Sequence, residues 1–249
     1  FSPHGLFVAG TRANQLVALD PQGHVRWTLA RPAPRFPAWT GTRTDTRIAY
    51  VSGSRVRVVA GDGTGDHAVA RASAVAPAWR PGAGRVLAFA DRRSAVVYAV
   101  DRGEVVLRTP PLAEPVRKVA WSRDGRLLVF APHAIRVYRG RRVVAQDDPS
   151  DATLDTDAAF VGPGSDPAAI RVAGASSNVF RIEGGPTVFS GSGVMRQLEP
   201  SPHGRWALIT WPTANQWVFV RLHPRKIVGV ARITQQFGRD ARVADWCCG

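Results

Sequence analysis

A short phrase recurs along this chain at a nearly constant interval. In each copy a small apolar run ends at an aromatic or proline residue, a turn containing glycine follows, and a strand-like run comes next. The anchor residues of these copies, 38 to 46 residues apart, are Phe1, Trp39, Trp79, Trp121, Phe160, Pro200 and Trp246. A period near 40 residues filled with short strands is typical of a β-propeller, in which each repeat forms one blade.

Each repeat contains runs of Val, Leu, Ile and aromatic residues that are separated by Gly, Asp and Pro turn signals, the pattern of short antiparallel strands. In the fourth repeat, strands are predicted over 117–121, 126–130, 134–138 and 142–145. No stretch has a sustained 3.6-residue apolar period, so almost no helix is expected. The sequence therefore predicts one domain, 1–249, that folds as a six-bladed all-β propeller of four-stranded antiparallel blades.

The two ends of the repeat pattern complement each other. The first repeat lacks its innermost strand, and the chain ends in an inner-strand phrase over 242–246. We expect this C-terminal strand to complete the first blade and close the ring, because closure removes unpaired sheet edges. The alternative is that the chain is part of a seven-bladed ring, in which residues upstream would pair with the same phrase.

The charge of the chain is strongly positive, with a net charge of +14. It comes from 31 Arg against 2 Lys, spread over every repeat with no basic block of five or more, so no specific nucleic-acid partner is expected. No run of 18 apolar residues occurs, and no membrane insertion by this chain is expected. The two cysteines, Cys247 and Cys248, are adjacent and have no zinc-site spacing.

One copy of the phrase carries a family resemblance. The run Val119-Ala-Trp-Ser-Arg-Asp-Gly-Arg-Leu-Leu-Val-Phe130 resembles the TolB-type, WD40-like (PD40) propeller repeat, with its W-S-P-D-G turn before a strand. It is also similar to uncharacterised actinobacterial propellers that are tethered outside the membrane by an upstream segment. The resemblance implies a monomeric, non-enzymatic binding platform for a protein or peptide. It also implies an extracytoplasmic location, with the cytoplasm as the alternative.

A second resemblance is local and defines the alternative function. The run Gln15-Leu-Val-Ala-Leu-Asp-Pro-Gln-Gly-His-Val-Arg-Trp27 is similar to the repeat of quinoproteins, propeller enzymes that bind PQQ. A cofactor-bearing quinoprotein repeats this phrase around the ring, whereas this chain has one clean copy. We interpret it as a hairpin shaped by Asp20 and Gly23, with Trp27 packing between blades. No nucleophile–base set is visible, including that of a hydrolytic propeller, so neither catalysis nor a cofactor is expected.

Three other groups of residues have structural interpretations. The stretch 147–166 holds six Asp and no Lys or Arg, and we expect a solvated connection between blades rather than a calcium loop. His4 and His203 occupy corresponding turns and supply too few ligands for a zinc site, so no metal is expected. The anchor tryptophans at 39, 79, 121 and 246 are expected to pack between blades.

The expected binding face is the one that carries the turns between the first and second strands of each blade. Positive charge around a concave channel mouth attracts acidic ligands, so we expect an acidic protein or peptide segment there. The alternative is that these arginines extend separately into water. The residues of the predicted face are Arg43, Arg47, Arg80, Arg85, Arg123, Arg126, Arg205, His4 and His203.

Overall fold

The computed structural model describes residues 1–82, 84–150, 152–239 and 241–243. Within these residues the chain forms five four-stranded sheets and one three-stranded sheet, with consecutive strands pairing antiparallel. Helical structure in this part is restricted to one 3₁₀ turn and one helix of five residues. This architecture confirms the predicted fold class, an all-β propeller built from six blades.

The first three sheets lie in a compact unit that spans Phe1–Gly125. The strands of the first sheet are β1 (Val8–Arg12), β2 (Gln15–Leu19) and β3 (Val25–Ala30). Those of the second are β4 (Pro34–Gly41), β5 (Thr46–Ser52), β6 (Arg55–Ala60) and β7 (His67–Arg71). Those of the third are β8 (Ala78–Trp79), β9 (Val86–Asp91), β10 (Ser94–Ala99) and β11 (Glu104–Arg108).

A second compact unit begins at Arg126, so the boundary falls within the fourth sheet. The fourth sheet comprises β12 (Lys118–Trp121), β13 (Leu127–Ala131), β14 (Ala134–Arg139) and β15 (Arg142–Asp147). The fifth comprises β16 (Thr153–Val161), β17 (Asp166–Ala173), β18 (Ser176–Arg181) and β19 (Phe189–Ser192). The sixth comprises β20 (Gln197–Pro200), β21 (Trp206–Trp211), β22 (Gln216–Arg221) and β23 (Lys226–Ala231), followed by the helix α1 (Ile233–Phe237).

The core of each unit is built from the middle strands of its sheets. In the second and third sheets, Val56, Val58, Leu87, Phe89 and Val96 form one buried cluster. The outermost strands are mostly exposed, as in β23, where only one of six residues is partly buried. Alternating apolar residues on middle strands therefore supply the core, and the edge strands face water.

The anchor tryptophans connect neighbouring sheets of the first unit. Trp79 donates its indole N–H to the carbonyl of Ala38 at 2.9 Å, and Trp121 donates to that of Ala78 at 3.1 Å. Trp39 packs with the buried cluster of the first two sheets, but its buried indole Nε1 has no hydrogen-bond partner. Packing between blades is confirmed for these three residues, whereas Trp246 lies outside the described residues.

The first sheet has three strands, as the repeat pattern predicts. The closing strand expected over 242–246 lies outside the described residues except for Arg242 and Val243. Val243 exchanges two hydrogen bonds of 3.2 Å with the side-chain amide of Gln197 on β20. Closure of the ring therefore stays a prediction.

The Asp-rich stretch differs from the expected solvated connection. The middle of the stretch is strand β16, in which Asp155 and Asp157 are buried. Asp155 pairs with Nε of Arg171 at 2.9 Å, and Asp157 accepts the backbone N–H of Leu198 at 2.8 Å. The prediction was wrong for these two residues because β17 supplies a cation and β20 supplies a backbone donor, which replace water.

Candidate functional site

The predicted turns that carry arginines lie between the first and second strands of their sheets, whereas the turn of His4 precedes β1. In the first unit, three of the arginine-bearing turns carry most of the predicted site. We call this set the turn surface and define it by Arg43, Arg47, Arg80, Arg85 and Arg123 with the carboxylates Asp45 and Asp101. The strand pairs β4–β5 and β8–β9 are antiparallel, so the residues that follow the first strand of each pair form the connecting turn. His4 is exposed in another turn of this unit.

Two arginines of the turn surface are neutralised by acids. Asp45 accepts a hydrogen bond from Nη1 of Arg47 at 2.5 Å and also pairs with Nη2 of Arg85. Arg85 reaches a second carboxylate, that of Asp101, at 2.8 Å. The four groups together carry no net charge. Arg47 and Arg85 therefore contribute much less positive potential than their positions in the sequence suggest.

Arg80 is held without a carboxylate partner among the described residues. Its guanidinium lies over the ring of Trp121, with Cζ 5.5 Å from the ring centroid. It also lies against Gly125, where a Cβ atom would come within 2.6 Å of Arg80 Nη2 and the backbone has a φ of +78°. The positive φ favours glycine at this turn, and the missing Cβ leaves room for the Arg80 guanidinium. The contact with Trp121 orders the guanidinium of an exposed arginine.

Arg43 and Arg123 are exposed in their turns, Arg43 without an ion pair to any described residue. In the second unit, His203 and Arg205 are exposed in the turn between β20 and β21. Arg126 differs from all of these because it is buried. Its Nη2 donates to the carbonyl of Ser165 at 2.8 Å, and its Cζ lies 5.4 Å from the ring centroid of Phe160. The structure thus assigns Arg126 an internal role and removes it from the exposed set.

Sequence reasoning missed a buried polar cluster around Asp66. This carboxylate, whose side chain is 4% exposed, accepts hydrogen bonds from Arg31 at 2.7 Å, Arg57 at 2.5 Å and Tyr50 at 2.6 Å. Burial alone would raise the pKa of Asp66, but the hydrogen bonds from Arg57, Tyr50 and Arg31 outweigh it and lower the pKa. Burial and Asp66 together raise the pKa of Tyr50 to about 12. The cluster ties β5, β6 and the segment before β4 together.

The quinoprotein-like phrase forms the expected hairpin. Asp20 Oδ1 accepts the backbone N–H groups of Gln22 and His24 at 3.1 and 2.9 Å, which shapes the turn between β2 and β3. Trp27 donates its indole N–H to the carbonyl of Gly61 at 2.8 Å. Within the described part of the chain, no group of three or more His, Cys, Asp or Glu side chains is placed to hold a metal ion.

A cavity of about 250 Å³ lies in the sixth sheet, at the end where β21 turns into β22. We call it the sheet-six pocket and define it by Trp211, Asn215, Gln216, Trp217, Thr234 and Arg239. Because β21 and β22 are antiparallel, this end is opposite the turn that carries His203 and Arg205. The sequence signal that points to it is a run of 40 residues, 200–239, that holds six Arg and Lys and no Asp or Glu.

Comparisons with known proteins agree with the fold. A chain in the crystal structure of the mitotic checkpoint complex is similar to this one with a TM-score of 0.65, over 86% of this chain and 70% of that chain. The two share 16% sequence identity, a level at which the likeness shows the fold alone. No protein-family model and no curated protein matches the sequence. No helix in the described ranges is long and apolar enough to cross a membrane. The fold that these findings define is an all-β propeller built from six blades.

Proposed function

We propose that this chain is a non-enzymatic interaction platform that binds an acidic segment of a protein or peptide at the turn surface. The observation that carries the proposal is the guanidinium of Arg80, which lies over Trp121, belongs to an exposed residue and has no carboxylate partner among the described residues. A preordered arginine loses less side-chain entropy when it pairs with a carboxylate, and its planar donors match a carboxylate in pairs. Arg43 adds an exposed positive charge in the turn between β4 and β5.

Two further observations support this function over catalysis. The similar fold belongs to a chain of a multiprotein complex, and propellers present loop-lined faces suited to such contacts. The phrase that resembles the quinoprotein repeat is used inside one hairpin, where Asp20 binds backbone N–H groups. The acidity of the partner, the monomeric state, the TolB-type relationship and the extracytoplasmic location remain predictions.

The test is a binding measurement with a labelled glutamate-rich peptide by fluorescence anisotropy. The variant Arg43→Glu/Arg80→Glu should bind it at least about tenfold more weakly, a loss of about 1.4 kcal/mol, because the exposed cations of the turn surface are reversed. The affinity of this variant for the peptide should also depend less on salt concentration. The reason is that fewer charge pairs, which salt would screen, form in its complex.

The matched control is Arg55→Glu/Arg71→Glu, which changes the net charge equally at two exposed, facing residues of β6 and β7. It should retain most of the affinity. Equal weakening in the two variants would show that only net charge matters. Unchanged binding of Arg43→Glu/Arg80→Glu, with native circular dichroism and melting temperature, would contradict the proposal.

A further inference from the structure

The sixth sheet and the helix after it carry cations that no acid among the described residues neutralises. Between Glu199 and Asp240 the sequence has no acidic residue, and within the described structure none of the Arg or Lys side chains there forms an ion pair. Arg221 contacts the ring of Trp206 and the carbonyl of Pro224, and Arg225 donates to the carbonyl of Val188, at the end of the sheet opposite the sheet-six pocket. The cations of this run at the pocket end are Arg232 and Arg239, which flank α1, and they supply the positive charge beside the cavity.

The loop that borders the sheet-six pocket is held rigidly against the helix that follows the sheet. The Asn215 side-chain oxygen accepts both the backbone N–H and the hydroxyl of Thr234, each at 2.8 Å. Its amide nitrogen donates to Gln235 at 2.9 Å, and Ile233 is buried beneath. Because the β21–β22 turn and α1 are joined by these bonds, the cavity between them is preformed.

An exposed aromatic pair lies at the edge of this cavity. The rings of Trp217 on β22 and Phe237 on α1 stack with centroids 5.0 Å apart and an angle of 15° between their planes. Phe237 is nevertheless 57% exposed. Tryptophan and arginine are the residues most enriched where protein interfaces carry their binding energy, and here Trp217 and Arg239 line one cavity.

The size of the cavity restricts what it accepts. Small-molecule and cofactor sites usually enclose roughly 300 to 1,000 Å³, whereas this cavity measures about 250 Å³. It accommodates one apolar side chain of a longer segment better than a whole cofactor. The surrounding positive charge selects acidic residues on either side of that side chain.

We propose that the sheet-six pocket is a second docking site, one that binds an acidic peptide segment through a single aromatic or branched apolar side chain. The side chain enters beside Trp217 and Phe237, and carboxylates of the segment pair with Arg239 and the neighbouring cations. This site does not depend on the turn surface, because it lies in another unit and requires an apolar contact as well as charge.

The experiment uses three labelled peptides of one length and the full chain. One peptide is glutamate-rich with a central phenylalanine, the second replaces that phenylalanine with alanine, and the third is lysine-rich with the phenylalanine. The first should bind at least about tenfold more tightly than the second, because the loss of a buried anchor costs more than about 1 kcal/mol. The lysine-rich peptide should not bind.

The variant Phe237→Ser/Arg239→Glu should bind the first two peptides equally. Its matched control is Val25→Ser/Arg26→Glu on β3, which changes the charge equally and removes an apolar residue that is 58% exposed. The control should retain the preference for phenylalanine. The turn-surface variant should bind the alanine peptide more weakly but keep most of its affinity for the phenylalanine peptide, because the sheet-six pocket is the tighter site for that peptide, so failures of the two proposals are distinguishable.

Three results would overturn the second site. They are equal binding of the phenylalanine and alanine peptides by the wild-type chain, an unchanged preference in Phe237→Ser/Arg239→Glu, and no binding of any glutamate-rich peptide. Phe237 and Arg239 are exposed, so circular dichroism and melting temperature should confirm that the variant folds.

Discussion

The turn surface and the sheet-six pocket use arginine in opposite ways. In the turn surface, Arg47 and Arg85 are paired with Asp45 and Asp101, which leaves Arg43 and Arg80 as exposed cations without a carboxylate partner among the described residues. Around the sheet-six pocket no acid of the described chain pairs with a cation, and a stacked aromatic pair is exposed beside Arg239. Some of the arginines in the turn surface are therefore neutralised by ion pairs within the chain, whereas the cations beside the sheet-six pocket are available to interact with solvent and ligands.

This difference shows why a net charge of +14 does not by itself locate a binding surface. An arginine contributes to an external field only when no nearby carboxylate cancels it. The same comparison extends to stability, because paired arginines hold the fold whereas unpaired exposed ones contribute little.

The largest expected effect is on stability, at the acid-paired arginines of the first unit. Replacing Asp66 with Asn leaves Arg31 and Arg57 without their shared carboxylate in a largely buried site. The free energy of unfolding should fall by about 3 kcal/mol, as expected when one member of a buried ion pair is removed. Urea unfolding measures this loss, and a change below about 1 kcal/mol would contradict the assigned role of Asp66.

The pH dependence of stability should differ in sign between two buried acids. Because the pKa of Asp66 is lowered in the folded state, its stabilisation is present above about pH 4 and is lost as the pH falls through the folded pKa. Burial raises the pKa of Asp155, against the opposing effect of Arg171, so its protonated form favours folding at low pH and that contribution is lost as the pH rises.

Unfolding curves for Asp66→Asn and Asp155→Asn over the acidic range test this contrast. The slope of stability against pH should decrease below about pH 4 in Asp66→Asn, and it should increase above about pH 4 in Asp155→Asn. The opposite pKa shifts of Asp66 and Asp155 would be contradicted if each substitution only displaced the plot of unfolding free energy against pH and left its slope unchanged.

A smaller effect is expected at the exposed acid of the turn surface. Replacing Asp45, whose side chain is 47% exposed, with Asn should cost less than about 1 kcal/mol of stability. It releases Arg47 and leaves Arg85 paired only with Asp101, so binding of a glutamate-rich peptide should tighten by a few fold, about 1 kcal/mol or less. The phenylalanine preference of the sheet-six pocket should not change. Weaker peptide binding after this substitution would indicate that Asp45 orders the surface instead of neutralising it.

The smallest effect is expected at the unpaired cations of the sixth sheet. Arg232→Gln and Lys226→Gln should change the free energy of unfolding by no more than about 0.5 kcal/mol, because neither side chain forms an ion pair with a described residue. A loss above about 1 kcal/mol in thermal or urea unfolding would show that these residues are structural, and the contrast between the two regions would fail.

Most of the fold could be predicted from the sequence because each sheet is local. Strands joined by short turns need only alternating apolar residues and turn signals to define them. The four strands predicted in the fourth repeat match β12 to β15 to within two residues at each end, whereas the short helix α1 after the sixth sheet was not predicted. The closing strand over 242–246 stays a prediction.

The candidate sites were less predictable because they depend on contacts distant in sequence. Asp45 reaches Arg85 across 40 residues, and Asp157 reaches Leu198 across 41. Nothing in the local sequence of Arg85 or Asp157 indicates these partners. The sheet-six pocket was missed because it requires α1 to pack beside the β21–β22 turn, whereas the sequence pattern predicted only a strand that ends at Ile233.

The account is tested most directly by the indole N–H resonances of ¹⁵N-labelled protein during titration with the glutamate-rich peptide that contains phenylalanine. Trp217 lines the sheet-six pocket and Trp121 lies under Arg80, so their resonances should shift. Those of Trp27 and Trp79, which neither line the sheet-six pocket nor lie under Arg80, should stay in place. Shifts at Trp27 and Trp79 with none at Trp217 and Trp121, or no shift at any of the four at high peptide concentration, would contradict the account.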